Sequence, residues 1–234
     1  MDLKRFFCDN ITDNYAYLYG DEFYHATKVT RHKIGYKLIV CDNGIWDYYC
    51  TIEEIGKDFL KALIDKKVPN ACENAYKLRL FVGNNKKIDS VVQQAVECGV
   101  NEIIPFLSQH CNEPTIHHDR LQKIIVESSK QCGRSKLARL KPMIDFQTLI
   151  EDTKTGKTFA FYELDRSNRV IEETIAADTI NIIIGCEGGF SEEEIALFRS
   201  NGIKTYSLGN RILRVPTAVV AACSVINEKM DNLK

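Results

Sequence analysis

The sequence lacks a long apolar run, a cysteine pair at metal or redox spacing, a phosphate-binding glycine signature and an excess of either charge. No stretch approaches the roughly 18 uninterrupted apolar residues of a membrane span. The opening MDLKRFFCDNITDN has no apolar core of the signal-peptide kind. A cytoplasmic protein without membrane partners is therefore expected. Nine cysteines (Cys8, Cys41, Cys50, Cys72, Cys98, Cys111, Cys132, Cys186 and Cys223) never fall into a Cys-x-x-Cys pair, which excludes a zinc ribbon or a thioredoxin motif. Their odd, irregular distribution suits a reducing compartment. With 31 basic and 32 acidic residues and a formal charge of −1, the chain is not a globally basic nucleic-acid binder, although local patches stay open. Neither G-x-x-x-x-G-K-[ST] nor G-x-G-x-x-G after a first strand occurs, so nucleoside triphosphatases and ordinary dinucleotide enzymes lack their phosphate cradle. Internal repeats, low-complexity tracts and heptad runs are absent too.

What is there fills 234 residues, enough for one or two domains with a sizeable core. The first part, to about residue 70, reads mainly as short strands. Tyr36–Cys41 and Trp46–Ile52 are rich in β-branched and aromatic residues and flank Asp42-Asn43-Gly44, whose Asn-Gly predicts a type I′ hairpin turn. Glu22–Arg31 reads as helical; Glu53–Lys67 fits helix or strand. The pattern breaks around Val68–Ala71. From Lys77 it alternates: strand Lys77–Val82, a helix through Val91, Val92, Ala95 and Val96, strand Glu102–Leu107, helix Asp119–Cys132, strand Thr158–Leu164. Such alternation predicts a mostly parallel sheet covered on both faces, and a domain boundary between 1–70 and 71–234.

The densest chemistry lies near the C-terminal end. An apolar run, Ile180–Ile184, stops at Gly185-Cys186-Glu187-Gly188-Gly189, where paired glycines let another group approach the backbone. Ser191 and Glu194 form a capping box for the next helix, with Glu192 and Glu193 suiting its positive end. A second short strand, Lys204–Leu208, then stops at Gly209-Asn210, followed by Arg211–Arg214 and by Pro216, where a last helix can begin. Both loops look suited to an uncharged, flat moiety such as a purine, or are simply tight turns of an α/β sheet.

Two basic clusters invite an RNA reading. Ser129–Met143 carries Lys130, Arg134, Lys136, Arg139 and Lys141 with no acid among them. It either grips phosphates or is a solvated face. Arg31, Lys33 and Lys37 beside His32 form a smaller cluster with the same two readings. His117-His118-Asp119 does not have a metal-ligand spacing and reads as a helix start capped by Asp119. His25 and His32 are read as structural, and Cys186 as an inert thiol.

The segments IIIGCEGGFSEEEI and SLGNRILRVPTAVVAACSVI resemble the paired signature loops of the RsmE-type ribosomal RNA methyltransferases of the SPOUT class. His25–Arg31 with Gly35 resembles that family's N-terminal RNA-binding domain. Val92–Val100 with Ile103-Ile104-Pro105 resembles its next helix and strand, and Glu127, Gln131 and Arg134 match its Glu, Gln and Arg. The resemblance implies an N-terminal β-rich PUA-like barrel at 1–70 and a C-terminal SPOUT α/β trefoil-knot domain at 71–234, working as a homodimer. It further implies S-adenosylmethionine as cofactor and methylation of N3 of a uridine in small-subunit (16S) ribosomal RNA, free or in the assembled subunit. Ile184, Gly185, Gly188, Leu208, Gly209, Asn210, Ile212 and Leu213 would then line the cofactor slot. Arg214 and Arg134 would act on the reacting base, and Arg31, Lys33, Lys130, Lys136 and Arg139 would hold RNA. No metal is required. The chain departs from the family pattern at Cys186, at Val215-Pro216, at Gln94 and at His110, departures that bear on substrate choice and rate. Two alternatives accompany this reading: the same fold acting on a transfer RNA or large-subunit RNA, and a catalytically weak ribosome-assembly factor.

Overall fold

The computed structural model describes residues 3–111, 115–165 and 175–230. The chain forms two units, Met1–Glu73 with Val126–Leu137, and Asn74–Ile125 with Ala138–Lys234.

The first unit is a curled five-stranded sheet. Its elements are β1 (Arg5–Phe7), β2 (Tyr15–Tyr19), a short helix α1 (Gly20–Tyr24) running into a π-helical turn (His25–Val29), β3 (Lys37–Cys41), β4 (Trp46–Ile55) and β5 (Phe59–Pro69). The spatial order is β1-β3-β4-β5-β2. The chain just after β1 turns back onto β2, with an Ile11–Ala16 bridge and the Tyr17 N–H donating to the Asn10 carbonyl at 3.0 Å. This contact curls the two edges of the sheet toward each other and leaves fewer unpaired edge groups. Alternation along the strands sends Phe6, Leu18, Leu38, Val40, Ile52 and Leu60 into one core. The ambiguous stretch Glu53–Lys67 resolves as the end of β4 and most of β5, because its apolar residues pair across the sheet at Leu60, Ala62 and Leu63.

The β3–β4 hairpin forms with Cys41 opposite Asp47, but its turn is not type I′. Only Asn43, at φ 60°, takes the left-handed conformation, and the Asp42 carboxylate accepts from the Gly44 N–H at 2.9 Å. A side-chain turn of this kind competes with the two-residue loop. His25 and His32 set their rings edge-on against buried Phe6 at 5.7 and 5.5 Å, as structural histidines do.

The second unit is a six-stranded, wholly parallel sheet with helices. In chain order it holds β6 (Lys77–Gly83), α2 (Ile88–Glu97), β7 (Glu102–Phe106), α3 (His118–Cys132), β8 (Arg139–Leu140), α4 (Phe146–Asp152), β9 (Lys157–Phe161), β10 (Thr179–Ile184), α5 (Glu192–Ser200), β11 (Thr205–Tyr206) and α6 (Val215–Lys229). The C-terminal part of α3 belongs to the first unit. Spatial order is β11-β9-β10-β6-β7-β8, with every pairing parallel. The mainly apolar strands β6 and β10, interrupted by buried Arg79 and Asn181, therefore lie centrally. One face packs Phe81, Phe106, Ile183, Phe190 and Phe198 together; α2 and α6 pack on each other, with α6 also against β10. The second glycine-ended strand is shorter than its sequence suggests, two residues in place of Lys204–Leu208. Helix α3 starts at His118, so Asp119 sits in the first turn and not at the cap.

The sequence places one boundary, between 1–70 and 71–234. The observed division passes from Glu73 to Asn74 and returns Val126–Leu137 to the first unit. The cause is polar. Asp47 (4 % exposed) receives both Arg5 amino groups at 2.7 Å, the Ser135 hydroxyl and the Asn70 amide at 3.1 Å. Arg134 forks Glu73 from the same segment.

Candidate active site

The C-terminal ends of β9, β10 and β11 face one cleft of about 610 Å³ in the second unit. Open α/β sheets bind their ligands at this end, where loops leave the strands. The first loop, Gly185–Phe190, is a tight turn: the Gly189 N–H donates to the Cys186 carbonyl at 3.0 Å, and Gly189 is left-handed at φ +70°. A Cβ on Gly189 would lie 2.8 Å from a Glu163 carboxylate oxygen, and one on Gly188 would lie 2.6 Å from the His110 Cβ. Glycine is thus favoured at 188 by the close His110 Cβ and at 189 chiefly by its left-handed conformation. Gly83, ending β6, makes the same approach from the adjacent strand, since its Cβ would lie 2.4 Å from the Cys186 nitrogen.

A buried carboxylate anchors this loop. Ser191 and Glu194 form the predicted capping box, Ser191 N–H to Glu194 at 2.9 Å and Glu194 N–H to Ser191 at 3.2 Å. Glu194 also accepts from the Gln109 N–H at 2.9 Å and the Ser108 hydroxyl at 3.3 Å. One side chain therefore ties the segment after β7 to the start of α5. His110, a departure from the family pattern, sits with its Nδ1 3.1 Å from the Gly188 carbonyl. The Cys186 thiol is drawn down to about 6 by a hydrogen bond from the Cys111 thiol, against the opposing effect of burial, while Cys111 is pushed up. Cys186 is thus less inert than its sequence context implies.

The second loop, Ser207–Arg214, is held by the Ser207 hydroxyl, which donates to the Gly209 carbonyl at 3.0 Å and accepts from its N–H at 3.2 Å. Gly209 has φ +116° and no atom within 4 Å of an added Cβ, so its requirement is conformational. Arg214 is exposed and caps α6 with an extended backbone (φ −66°, ψ 150°); Pro216 lies in the first turn. There a missing N–H costs no helical hydrogen bond, so the helix absorbs Val215-Pro216. The Arg214 guanidinium and the N-terminal end of α6 both put positive potential at the cleft.

Of the predicted slot residues, Ile184, Gly185, Leu208, Gly209, Ile212 and Leu213 line the cleft, as does Arg214. Gly188 and Asn210 do not; Gly188 serves the turn. Arg134 does not line it either. Its guanidinium forks Glu73 at 3.0 and 2.9 Å in the first unit, with the side chain 2 % exposed. Lys130 is likewise engaged, by Glu22 at 2.8 Å and Glu127 at 3.0 Å, with its side chain 9 % exposed. Arg31, Lys33, Lys136 and Arg139 are exposed. Sequence reasoning missed Glu163, Glu187 and Lys87 in the lining, and Gly83 behind it. Glu187 carried a signal in its place within the glycine loop, and Gly83 as a glycine closing a strand, as Gly185 follows β10.

Residues 72–227 match the RNA methyltransferase domain family. The chain belongs to this family. Among relatives of similar sequence, the ribosomal RNA small subunit methyltransferase E of Mesomycoplasma hyopneumoniae is 30 % identical over 93 % of this chain and 96 % of its own length. The protein of the same name from Buchnera aphidicola (Acyrthosiphon pisum) is 29 % identical over 97 % and 93 %. Among solved structures, the Neisseria gonorrhoeae small subunit methyltransferase E bound to S-adenosyl methionine superposes with a TM-score of 0.87 at 22 % identity, covering 97 % of this chain and 98 % of that one. A Legionella pneumophila methyltransferase holding the same cofactor gives 0.88 at 23 % over the same shares. The RNA methyltransferase fold thus spans both units, although the family match itself begins at residue 72. No helix among the described residues is long and apolar enough to cross a membrane.

Proposed function

We propose that this RNA methyltransferase transfers a methyl group from S-adenosylmethionine to N3 of a uridine in small-subunit ribosomal RNA, in the cytoplasm. The observation that carries the reading is the cleft between two glycine-ended loops, with Arg214 at its rim, in a chain whose full-length relatives bear the small-subunit methyltransferase name. Its volume suits a cofactor of this size. Ile184, Leu208, Ile212 and Leu213 would flank the adenine, and the backbone at Gly185 and Gly209 would approach it closely. Glu163 and Glu187 would face the cationic part. When bound, the cofactor supplies a methyl group on a positively charged sulfur.

The residues of the chain then act on the uracil. Loss of the N3 proton leaves negative charge on the flanking carbonyls, and Arg214 with the α6 N-terminus would stabilise it as fixed electrostatics. The loops orient base and donor for in-line attack and exclude water. No metal takes part in this scheme.

Three finer points belong to the same reading. The first unit, about 1–70 with the returning segment, would be a PUA-like RNA-binding domain, with Arg31, Lys33 and Lys136 meeting phosphates, as would Arg139 of the second unit. Residues 71–234 would carry the SPOUT trefoil knot. The active form would be a homodimer, supported by Ile212 at the rim of the cleft, an apolar side chain 81 % exposed that a second copy would cover.

The test is methyl transfer to small subunits lacking this modification, read by nucleoside mass spectrometry. N3-methyluridine is expected, and Arg214→Ala should lower turnover about 100-fold or more while cofactor affinity stays within a few-fold. Unchanged turnover would remove Arg214 from the mechanism. Product on another RNA, or cofactor binding without transfer, would replace the proposal by one of its alternatives.

A further inference from the structure

Two thiols converge behind the first glycine loop, where the ends of β6, β7 and β10 meet in the second unit. Cys111 closes a turn after β7: its N–H donates to the Ser108 carbonyl at 3.0 Å, and its sulfur lies 3.2 Å from the Asn84 carbonyl oxygen just past β6. Cys186 reaches the same place from β10. Its nitrogen would lie 2.4 Å from a Cβ on Gly83, and its sulfur is 4.0 Å from the Ser108 hydroxyl. The Cys111 thiol donates to the Cys186 sulfur. Two further ties hold the segments together, Glu194 on Ser108 and Gln109, and His110 Nδ1 at 3.1 Å from the Gly188 carbonyl. A bond between the sulfurs would join two segments already in contact.

Access and reactivity set this pair apart from the buried cysteines. Cys111 is half-buried and Cys186 is one of the walls of the cleft, so a molecule as small as a peroxide has an approach on either side. Donation from Cys111 favours the Cys186 thiolate, the form that attacks. Cys8, Cys41 and Cys50 are held as thiols by burial in the first unit. In the other close pair, Cys98 and Cys223, the second residue is fully buried and neither lines the cleft. Cys186 also departs from the family pattern, so the pairing is particular to this chain.

We infer that Cys111 and Cys186 form a modification site for hydroperoxides, closing a reversible disulfide that weakens cofactor binding in the adjacent cleft. The effect on the cofactor rests on the cleft being the S-adenosylmethionine site, as proposed above. With hydrogen peroxide, the Cys186 thiolate attacks one peroxide oxygen and the O–O bond breaks. The other oxygen leaves as hydroxide and is protonated to water, and Cys186 becomes a sulfenic acid. The Cys111 sulfur then attacks the sulfenic sulfur, whose S–O bond breaks, and the oxygen leaves with the Cys111 proton as a second water. The two thiols lose two electrons and one peroxide is reduced to two waters. In a reducing compartment thiol exchange restores the pair, as a sensing disulfide requires. Bonded sulfurs are nearer than hydrogen-bonded ones, so closure displaces Cys186, and the neighbouring Gly185 backbone with it, from their places in the cleft wall.

Reduced full-length protein is treated with hydrogen peroxide, then followed by non-reducing peptide mass spectrometry and by calorimetric titration with S-adenosylmethionine. A peptide linking Cys111 to Cys186 is expected, with affinity weakened about ten-fold or more and restored by dithiothreitol. Cys111→Ala should bind the cofactor when reduced, form no linked peptide and lose the dithiothreitol-reversible response. Cys98→Ala, which opens the other pair, should keep that response in full. Absence of the linked peptide once peroxide has oxidised the exposed Cys72 overturns the inference. So does a linked peptide that leaves affinity within about two-fold of the reduced protein. Reduced protein that binds no S-adenosylmethionine sinks the cofactor reading instead, and the linked peptide by itself then upholds or overturns the modification site.

Discussion

Gly83→Ala is the most informative single change, because it leaves the cleft's own residues untouched and moves them from behind. The added Cβ would lie 2.4 Å from the Cys186 nitrogen, 2.9 Å from the Gly185 carbonyl carbon and 3.0 Å from the Cys186 Cα. All three are backbone atoms, so no side chain can swing aside. Ordinary contact begins near 3.4 Å, and the glycine loop must therefore retreat by about 1 Å or strand β6 must shift. The loop resists through Glu194, which ties it to Ser108 and Gln109. Overpacking of this kind costs about 1–3 kcal/mol, which in a chain of this length lowers Tm by roughly 2–12 °C. The displacement also moves the Gly185 and Cys186 backbone out of place at the cleft. Losing about 1.4 kcal/mol of hydrogen bonding there weakens S-adenosylmethionine binding about ten-fold. Calorimetric titration with the cofactor and a thermal melt measure both effects. The control is Gly202→Ala, at φ +72° with nothing within 4 Å of the new Cβ, which costs about 1–2 kcal/mol of left-handed strain and leaves affinity alone. A Gly83→Ala protein that binds cofactor within two-fold of normal at an unchanged Tm would refute the close-approach argument.

Two further expectations concern charge. Burial alone would raise the Asp47 carboxyl, but hydrogen bonds from Arg5 and Ser135 and the charge of Arg5 outweigh it and hold it below the usual range. Its contribution is therefore complete above the unfolded value of about 3.9 and is lost as pH falls through the lower folded value. Asp47→Asn should flatten that acid limb in urea titrations from pH 2 to 8 and cost about 3–5 kcal/mol near neutrality, where Arg5 keeps its charge without a partner; an unaltered acid limb contradicts the assignment. Alkylation of Cys186 should titrate near pH 6, shift upward in Cys111→Ala and be blocked by cofactor. Mass spectrometry finding an ordinary thiol midpoint in both proteins would dissolve the thiol pair.

The sequence by itself determined the elements whose cause is local. The mainly apolar segments of β6 and β10 read as buried parallel strands, the Ser191–Glu194 box starts α5, and Gly185 ends β10 at the cleft. Six of the eight residues expected at the cofactor slot, and Arg214, do line the cleft. Tertiary structure decided what depends on a partner distant in the chain. Glu53–Lys67 became strand because β2 and β4 were there to pair with it. Asn43-Gly44 lost its type I′ geometry to the Asp42 side chain. Arg134 and Lys130 look like any other members of a basic run, and only the fold shows their carboxylate partners, Glu73 and Glu22, 61 and 108 residues earlier in the chain. Gly83 and Glu194 acquire their roles from groups 103 and 85 residues away. Periodicity and capping act within a few residues and leave a pattern in sequence; ion-pair partners and close backbone approaches are chosen by the fold.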